Sequence, residues 1–96
     1  MINLEPRYLH MLKTILAQYL PVEMVYIFGS RTTTSIKPFS DIDLIIMSEH
    51  PLPLNTMAQL INACEESDLP YKVDIVEWHS LSAAFQEHIK PSLVKL

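Results

Sequence analysis

The stretch from Phe28 to Leu44 reads F-G-S-R-T-T-T-S-I-K-P-F-S-D-I-D-L, and the prediction of fold and function starts from it. It contains the chain's only glycine, Gly29, at the end of one apolar run, and two aspartates that alternate with apolar residues in a second run. Side chains alternate between the faces of a strand, so Asp41 and Asp43 are expected on the same face, about 6.6 Å apart along it. Because two such carboxylates repel each other, a bound divalent cation is the simplest way to stabilise them.

Gly29 and Ser30 stand where a strand would turn into a helix. Backbone N–H groups at such a turn, together with the Ser30 hydroxyl, could hold an anion. Taken alone, a glycine-serine pair indicates no more than an ordinary strand-to-helix turn. Next to two aspartates that could bind a metal, it suggests a site for a nucleotide.

The rest of the chain supplies a small set of further elements. Apolar residues at helical spacing and runs of β-forming residues predict helices over 6–20 and 55–67 and strands over 24–28, 41–47 and 71–77. Asn55 is predicted to cap the second helix, and Ser80 or Ser82 to cap a last one. The C-terminal tail is expected to join the sheet edge or to contact a partner. The fold class is therefore α/β (α+β), a small mixed β-sheet of three to four strands flanked by helices, in a single domain over 1–96.

Asp74 lies in the middle of the third predicted strand. A carboxylate buried there without a partner would be costly, so its position needs a reason. One explanation is an ion pair with Lys72 or Lys37. The explanation we favour is that Asp74 is a third ligand of the metal site formed by Asp41 and Asp43.

The motif G-S followed by D-I-D-L resembles the DNA polymerase beta-type nucleotidyltransferase superfamily. The short chain and the wording G-S-R…P-F-S-D-I-D-L make it similar to the minimal nucleotidyltransferase (MNT) group, and the resemblance extends to V-D-I-V-E-W-H-S-L-S near the C-terminus. It implies the minimal nucleotidyltransferase fold. It also implies that Asp41, Asp43 and Asp74 are the catalytic residues and bind two Mg²⁺ ions.

The resemblance further implies a nucleotide-binding set consisting of Gly29, Ser30, Arg31 and Ser40, with Lys37 as a weaker source of positive charge. Gly29 and Ser30 would hold the β- and γ-phosphates of ATP or another nucleoside triphosphate. This chain departs from the family pattern in the same loop, where Thr33 and Thr34 replace an Arg and a Gly and Phe39 replaces another Gly. These departures predict a stiffer and less basic phosphate loop.

The implied function is Mg-dependent transfer of AMP from ATP to a hydroxyl, with a tyrosine of a separately encoded HEPN-type helical protein as the acceptor. The chain would then be the antitoxin of a HEPN/MNT toxin–antitoxin pair. One alternative is a catalytically degenerate binding module that neutralises a HEPN partner by contact. A weaker alternative is transfer to a small molecule such as an aminoglycoside, although such enzymes generally carry an extra domain.

Composition limits the remaining choices. The 96 residues carry a net charge of −4, and the seven basic residues are scattered, so stable nucleic-acid binding is not expected. Apolar residues make up 49% of the chain, and a partner or a second copy in a homo-oligomer could cover the excess. The single cysteine, Cys64, favours a reduced, cytoplasmic setting. No membrane association is expected, because the apolar runs fall far short of the ~20 residues that span a bilayer.

Overall fold

A computed structural model describes residue 2 and residues 4–29 and 41–96. Three of the predicted nucleotide-binding residues, Ser30, Arg31 and Ser40, lie outside the described residues. The substituted loop positions and Lys37 lie outside them as well. Of the predicted nucleotide-binding residues, only Gly29 is among the described residues.

The described part of the chain forms three α-helices and four strands. The helices are α1 (Pro6–Ala17), α2 (Leu54–Glu65) and α3 (Ala83–Ile89), and the strands are β1 (Val25–Phe28), β2 (Ile42–Ile46), β3 (Val73–Glu77) and β4 (Val94–Lys95). Short 3₁₀ turns at Val22–Met24, Trp78–Ser80 and Lys90–Ser92 connect them. Every element predicted from the described residues is present, with ends that differ by a few residues.

The four strands form one mixed sheet in the order β3-β2-β1-β4. β1 pairs antiparallel with both β2 and β4, whereas β2 and β3 run parallel. A parallel pair needs a crossover connection, and α2 provides it between β2 and β3. The fold class is the mixed α+β sheet predicted, and β4 confirms that the C-terminal tail joins the sheet edge.

Helices α1 and α2 cover one face of the sheet. Leu12 and Leu16 of α1 and Leu60 of α2 are fully buried against the strand residues that point to that face, which are Val25, Ile27, Ile42, Leu44 and Ile46. The apolar spacing of α1 and the alternation in β2 place these side chains in one cluster. The opposite face carries Asp43 and Phe28, and α3 reaches it through an edge-to-face contact of Phe85 with Phe28, whose ring centroids lie 6.5 Å apart.

Two local predictions were wrong and one was resolved. Asn55 is not a cap, because α2 begins one residue earlier at Leu54, with Pro53 in the cap position. The first helix was predicted to reach Leu20 but ends at Ala17, and residues 18–20 form a turn. Of the two candidate caps for the last helix, Ser82 is the one used, since its hydroxyl accepts a hydrogen bond from the N–H of Phe85 at 3.2 Å.

Candidate active site

Asp43 and Asp74 are direct neighbours across the parallel pair of strands. The register places Asp43 of β2 opposite Asp74 of β3. Neighbouring strands lie about 4.8 Å apart, and paired residues of a parallel ladder project to the same face. The sheet therefore brings together two of the three predicted carboxylates, although they are 31 residues apart in the sequence.

Asp41 stands just before β2 and is exposed. It is close enough to Asp43 to affect its ionisation. Burial raises the pKa of Asp43, the negative charges of Asp74 and then Asp41 raise it further, and the positive charge of Lys72 lowers it. Three carboxylates thus share one electrostatic environment in which the charged form of the central one is disfavoured.

Gly29 touches the same site from β1. Its φ is +80°, a left-handed conformation that favours glycine over residues with a side chain. A Cβ at this position would lie 2.9 Å from Oδ2 of Asp43, which is closer than normal packing allows. The positive φ therefore favours glycine, and a side chain here would also require the Asp43 carboxylate to shift.

The ion pair considered for Asp74 is also present. Nζ of Lys72 lies 3.6 Å from Oδ1 of Asp74, and the two side chains are 71% and 44% exposed. Exposed pairs of this kind contribute about 1 kcal/mol at most, because water and salt screen them. The lysine therefore partly neutralises Asp74 without fixing it, and the carboxylate stays beside Asp43 and open to solvent.

No group of three or more His, Cys, Asp or Glu side chains within residues 4–29 and 41–96 is arranged to hold a metal ion. Asp43 and Asp74 are neighbours across two strands, and Asp41 is near enough to raise the pKa of Asp43, after the larger effects of burial and Asp74. This incomplete arrangement is compatible with Mg²⁺, which is usually held by one or two carboxylates plus substrate phosphates and water. The oxygen-only donor set also suits a hard cation better than zinc or iron.

The sequence did not reveal that β3 is an edge strand. Asp74 is half-exposed for that reason, so its burial is less costly than the apolar pattern suggested. Polar residues on both faces of the strand, Lys72 and Asp74 on one and Glu77 on the other, were the available signal. A cavity of about 370 Å³, lined by residues of α2 and of β3, opens beside Asp74 at this edge.

The sequence of this chain matches a known protein family and a known relative. A family model described as "Polymerase beta, Nucleotidyltransferase" matches residues 10–94. A Haemophilus influenzae protein described as a probable protein adenylyltransferase, MntA, is 40% identical over 89 residues, which cover 93% of this chain and 78% of that relative.

Solved structures share the fold. A chain from the complex of a tri-AMPylated Shewanella oneidensis HEPN toxin with an MNT antitoxin superposes with a TM-score of 0.60 at 18% identity, over 90% of this chain and 69% of its own. A chain from a toxin–antitoxin structure with AMP-PNP superposes with a TM-score of 0.61 at 24% identity, over 85% and 64% of the two chains. At these identities the superpositions establish the fold.

Proposed function

The chain belongs to the polymerase beta nucleotidyltransferase family, and on this premise we propose that it transfers AMP from ATP to a hydroxyl group of a separately encoded protein. The observation that carries the proposal is the placement of Asp43 and Asp74 side by side, next to the left-handed turn at Gly29. Such a site has acidic side chains for cations and a backbone turn for phosphates within one small area.

The proposed acceptor is a tyrosine hydroxyl of a HEPN-type helical protein. Support comes from the relatives, since one is described as a protein adenylyltransferase and another is an MNT antitoxin complexed with an AMPylated HEPN toxin. On this proposal the chain is the antitoxin of a pair. A cytoplasmic location is part of the same proposal and is supported by the single, buried Cys64. Within the described residues, no helix is both long and apolar enough to cross a membrane.

Asp41, Asp43 and Asp74 would hold the magnesium, and two ions are proposed. The fit rests on the disfavoured charge of Asp43: burial raises its pKa most, and repulsion by Asp74 and Asp41, which a cation would relieve, raises it further. When bound, magnesium would supply positive charge at the triphosphate and make an acceptor hydroxyl more acidic.

The chain's own residues would position the reacting groups. The Gly29 turn and Ser30 would hold the β- and γ-phosphates, helped by Arg31, which follows Ser30, and by Ser40, which directly precedes Asp41. Asp74 would accept the proton of the acceptor hydroxyl. The hydroxyl oxygen would form a bond to the α-phosphorus, the bond from that phosphorus to the bridging oxygen would break, and pyrophosphate would leave.

The test uses ATP labelled at the α-phosphate, Mg²⁺ and the co-encoded partner protein. We expect the label on the partner and a mass gain corresponding to AMP. Asp43→Asn should lower the transfer rate by more than about 100-fold, because it removes a carboxylate from the metal site. Asp68→Asn is the matched control, since Asp68 is an exposed carboxylate on the loop after α2 and should leave the rate unchanged.

A second candidate function is neutralisation of the partner by binding alone. The observation that favours it is the ion pair of Asp74 with Lys72, which gives the carboxylate a role without a metal. The two candidates differ in one result. Inhibition of the partner that survives the double replacement Asp41→Asn and Asp43→Asn would support binding alone, and inhibition lost with the carboxylates would support transfer.

A further inference from the structure

The outer edge of β3 has no neighbour among the described strands. β3 pairs with β2 on one side, and in residues 4–29 and 41–96 no other strand pairs with it. All five of its residues are partly exposed. An edge of this kind presents backbone donors and acceptors to which another extended chain can bind.

The direction of the hydrogen bonds identifies which backbone groups face outward. The N–H of Ile42 donates to the carbonyl of Lys72 at 2.9 Å, so the backbone groups of Lys72 point toward β2. Successive residues of a strand point their N–H and C=O groups to alternate sides. The groups of Asp74 and Val76 therefore face β2, and the outward-facing groups are those of Val73, Ile75 and Glu77.

The same edge carries the carboxylate that would receive the acceptor proton. A strand added beside β3 would lie about 4.8 Å from it. Side chains of that strand on the Asp74 face would stand directly beside the Asp74 carboxylate, with Asp43 one strand further in. Backbone pairing alone would therefore position a hydroxyl on such a side chain next to Asp74.

The cavity beside the edge fits the next side chains of the same segment. Its lining combines the apolar residues Ile61, Cys64, Leu69, Val73 and Ile75 with Tyr71 and the charged residues Glu65, Lys72 and Asp74. Val73 and Ile75 point to the sheet face opposite Asp74. Side chains of an added strand alternate between the two faces. If one residue points to Asp74, its neighbours point toward this cavity, whose volume of about 370 Å³ can hold a side chain.

We propose that the outer edge of β3 is the acceptor-docking site, where an extended segment of the acceptor protein pairs with Val73 and Ile75 and presents its hydroxyl to Asp74. This inference rests on the proposed transfer function and adds to it how the acceptor is recognised. Backbone pairing supplies affinity, and the cavity, with its apolar and charged lining, supplies selectivity for the residues that flank the hydroxyl.

The first test compares two substitutions at Ile75 in the transfer assay with the partner protein. Ile75→Ala removes side-chain packing and keeps the outward N–H, whereas Ile75→Pro removes the N–H as well, without losing a bond to β2. We expect Ile75→Pro to raise the KM for the partner protein about 10-fold over Ile75→Ala, as expected when a hydrogen bond is lost and its acceptor is left unpaired. The KM for ATP should be the same in both variants.

The second test measures amide hydrogen exchange of the unmodified protein alone and with the partner protein, and so holds even if Ile75→Pro does not fold. The amides of Val73 and Ile75 should exchange at least about 10-fold more slowly in the complex. Asp74 and Val76 are internal controls, because their amides already bond to β2. Protection confined to other surfaces, or equal KM values for the two Ile75 variants, would overturn the proposal.

The result also distinguishes this inference from the proposed function. If the unmodified protein does not label its partner but the β3 amides are protected, the transfer function fails and the docking edge stands. Protection of Val73 and Ile75 in the protein alone that grows with concentration would instead indicate pairing between two copies of this chain. That outcome would overturn the acceptor assignment.

Discussion

Gly29 is constrained twice, by its backbone conformation and by the space that Asp43 leaves. We predict that Gly29→Ala lowers the free energy of unfolding by about 1–3 kcal/mol, because it combines a disfavoured positive φ with a Cβ 2.9 Å from Oδ2 of Asp43. Urea denaturation monitored by circular dichroism measures the loss.

A double-mutant cycle separates the two causes. In an Asp43→Ala background the carboxylate is gone, so Gly29→Ala should cost less by about 0.5–1 kcal/mol, and only the backbone part should remain. An equal cost in both backgrounds would mean that the carboxylate moves aside easily. The close approach would then not be a constraint on the sequence.

Asp43 is predicted to reduce the stability of the metal-free protein at neutral pH. Its pKa is raised above the ordinary value of 3.8, chiefly by burial and then by Asp74 and Asp41. Below that value the carboxyl is protonated in both the folded and the unfolded protein and has no effect. As the pH rises through the folded pKa, the folded state is disfavoured, and the loss is complete at neutral pH.

Asp43→Asn should therefore raise the melting temperature in EDTA at pH 7, by at most about 4 °C because Asp43 is only partly buried and water screens the repulsion. The gain should shrink toward zero as the pH falls below 4, and Asp68→Asn, on the exposed loop after α2, is the matched control. Thermal melts across pH test this. A marked drop in melting temperature at pH 7 would show that Asp43 has a structural role that the carboxylate repulsion does not explain.

At the scale of elements, the sequence predicts best where the pattern is local. Alternation in β2 puts Ile42, Leu44 and Ile46 on the face opposite the aspartates, and all three are fully buried. The start of α2 was misplaced because Asn55 is a good cap by composition, whereas the chain enters the helix directly after Pro53. Local composition does not determine which of two adjacent residues begins a helix.

Strand order is set by tertiary pairing and was accessible only in part. The D-x-D spacing predicted that Asp41 and Asp43 share a face, but the direct pairing of Asp43 with Asp74 depends on the register of two distant strands. The unpaired outer side of β3 likewise follows from the strand order, and the polar residues on both faces of the strand were the available signal for it. The family resemblance supplied the proposed roles of these residues. The roles of the phosphate-loop residues from Ser30 to Ser40 stay predictions.

The short helix α3 depends on its cap. Seven residues are too few for a helix to be stable alone, and the hydroxyl of Ser82 satisfies one of its free N–H groups. Ser82→Ala should lower the free energy of unfolding by about 1 kcal/mol. Ser82→Asp, which can still accept that hydrogen bond, is the matched control.

Tryptophan fluorescence provides a local measurement of the same change. Gln86 of α3 donates to the carbonyl of Trp78 at 2.9 Å, and Trp78 is the only tryptophan in the chain. Loosening of α3 in Ser82→Ala should shift its emission at temperatures below the global transition. Unchanged emission and stability in Ser82→Ala would show that packing of Phe85 on Phe28 holds the helix without the cap.

At the scale of the whole molecule, one face of the sheet is apolar and buried, whereas the other carries the carboxylates. Helices α1 and α2 bury one face in a continuous apolar cluster. The other face carries Asp43 and Asp74 at the ends of their strands and is covered by the shorter α3 near Phe28. Because the carboxylates repel one another, the stability that holds them together must come from the face that α1 and α2 cover.

A matched pair of leucines in α2 tests how much the protein depends on that face. Leu60 is fully buried and Leu54 is 88% exposed, although both lie in the same helix. Leu60→Ala should cost about 2–5 kcal/mol, a large share of the roughly 5–14 kcal/mol expected for a chain of this length. Leu54→Ala should change the free energy of unfolding by less than about 0.5 kcal/mol. Chemical denaturation of both variants measures the difference, and comparable losses would mean that the exposed end of α2 is covered in solution, for instance by a second copy of the chain.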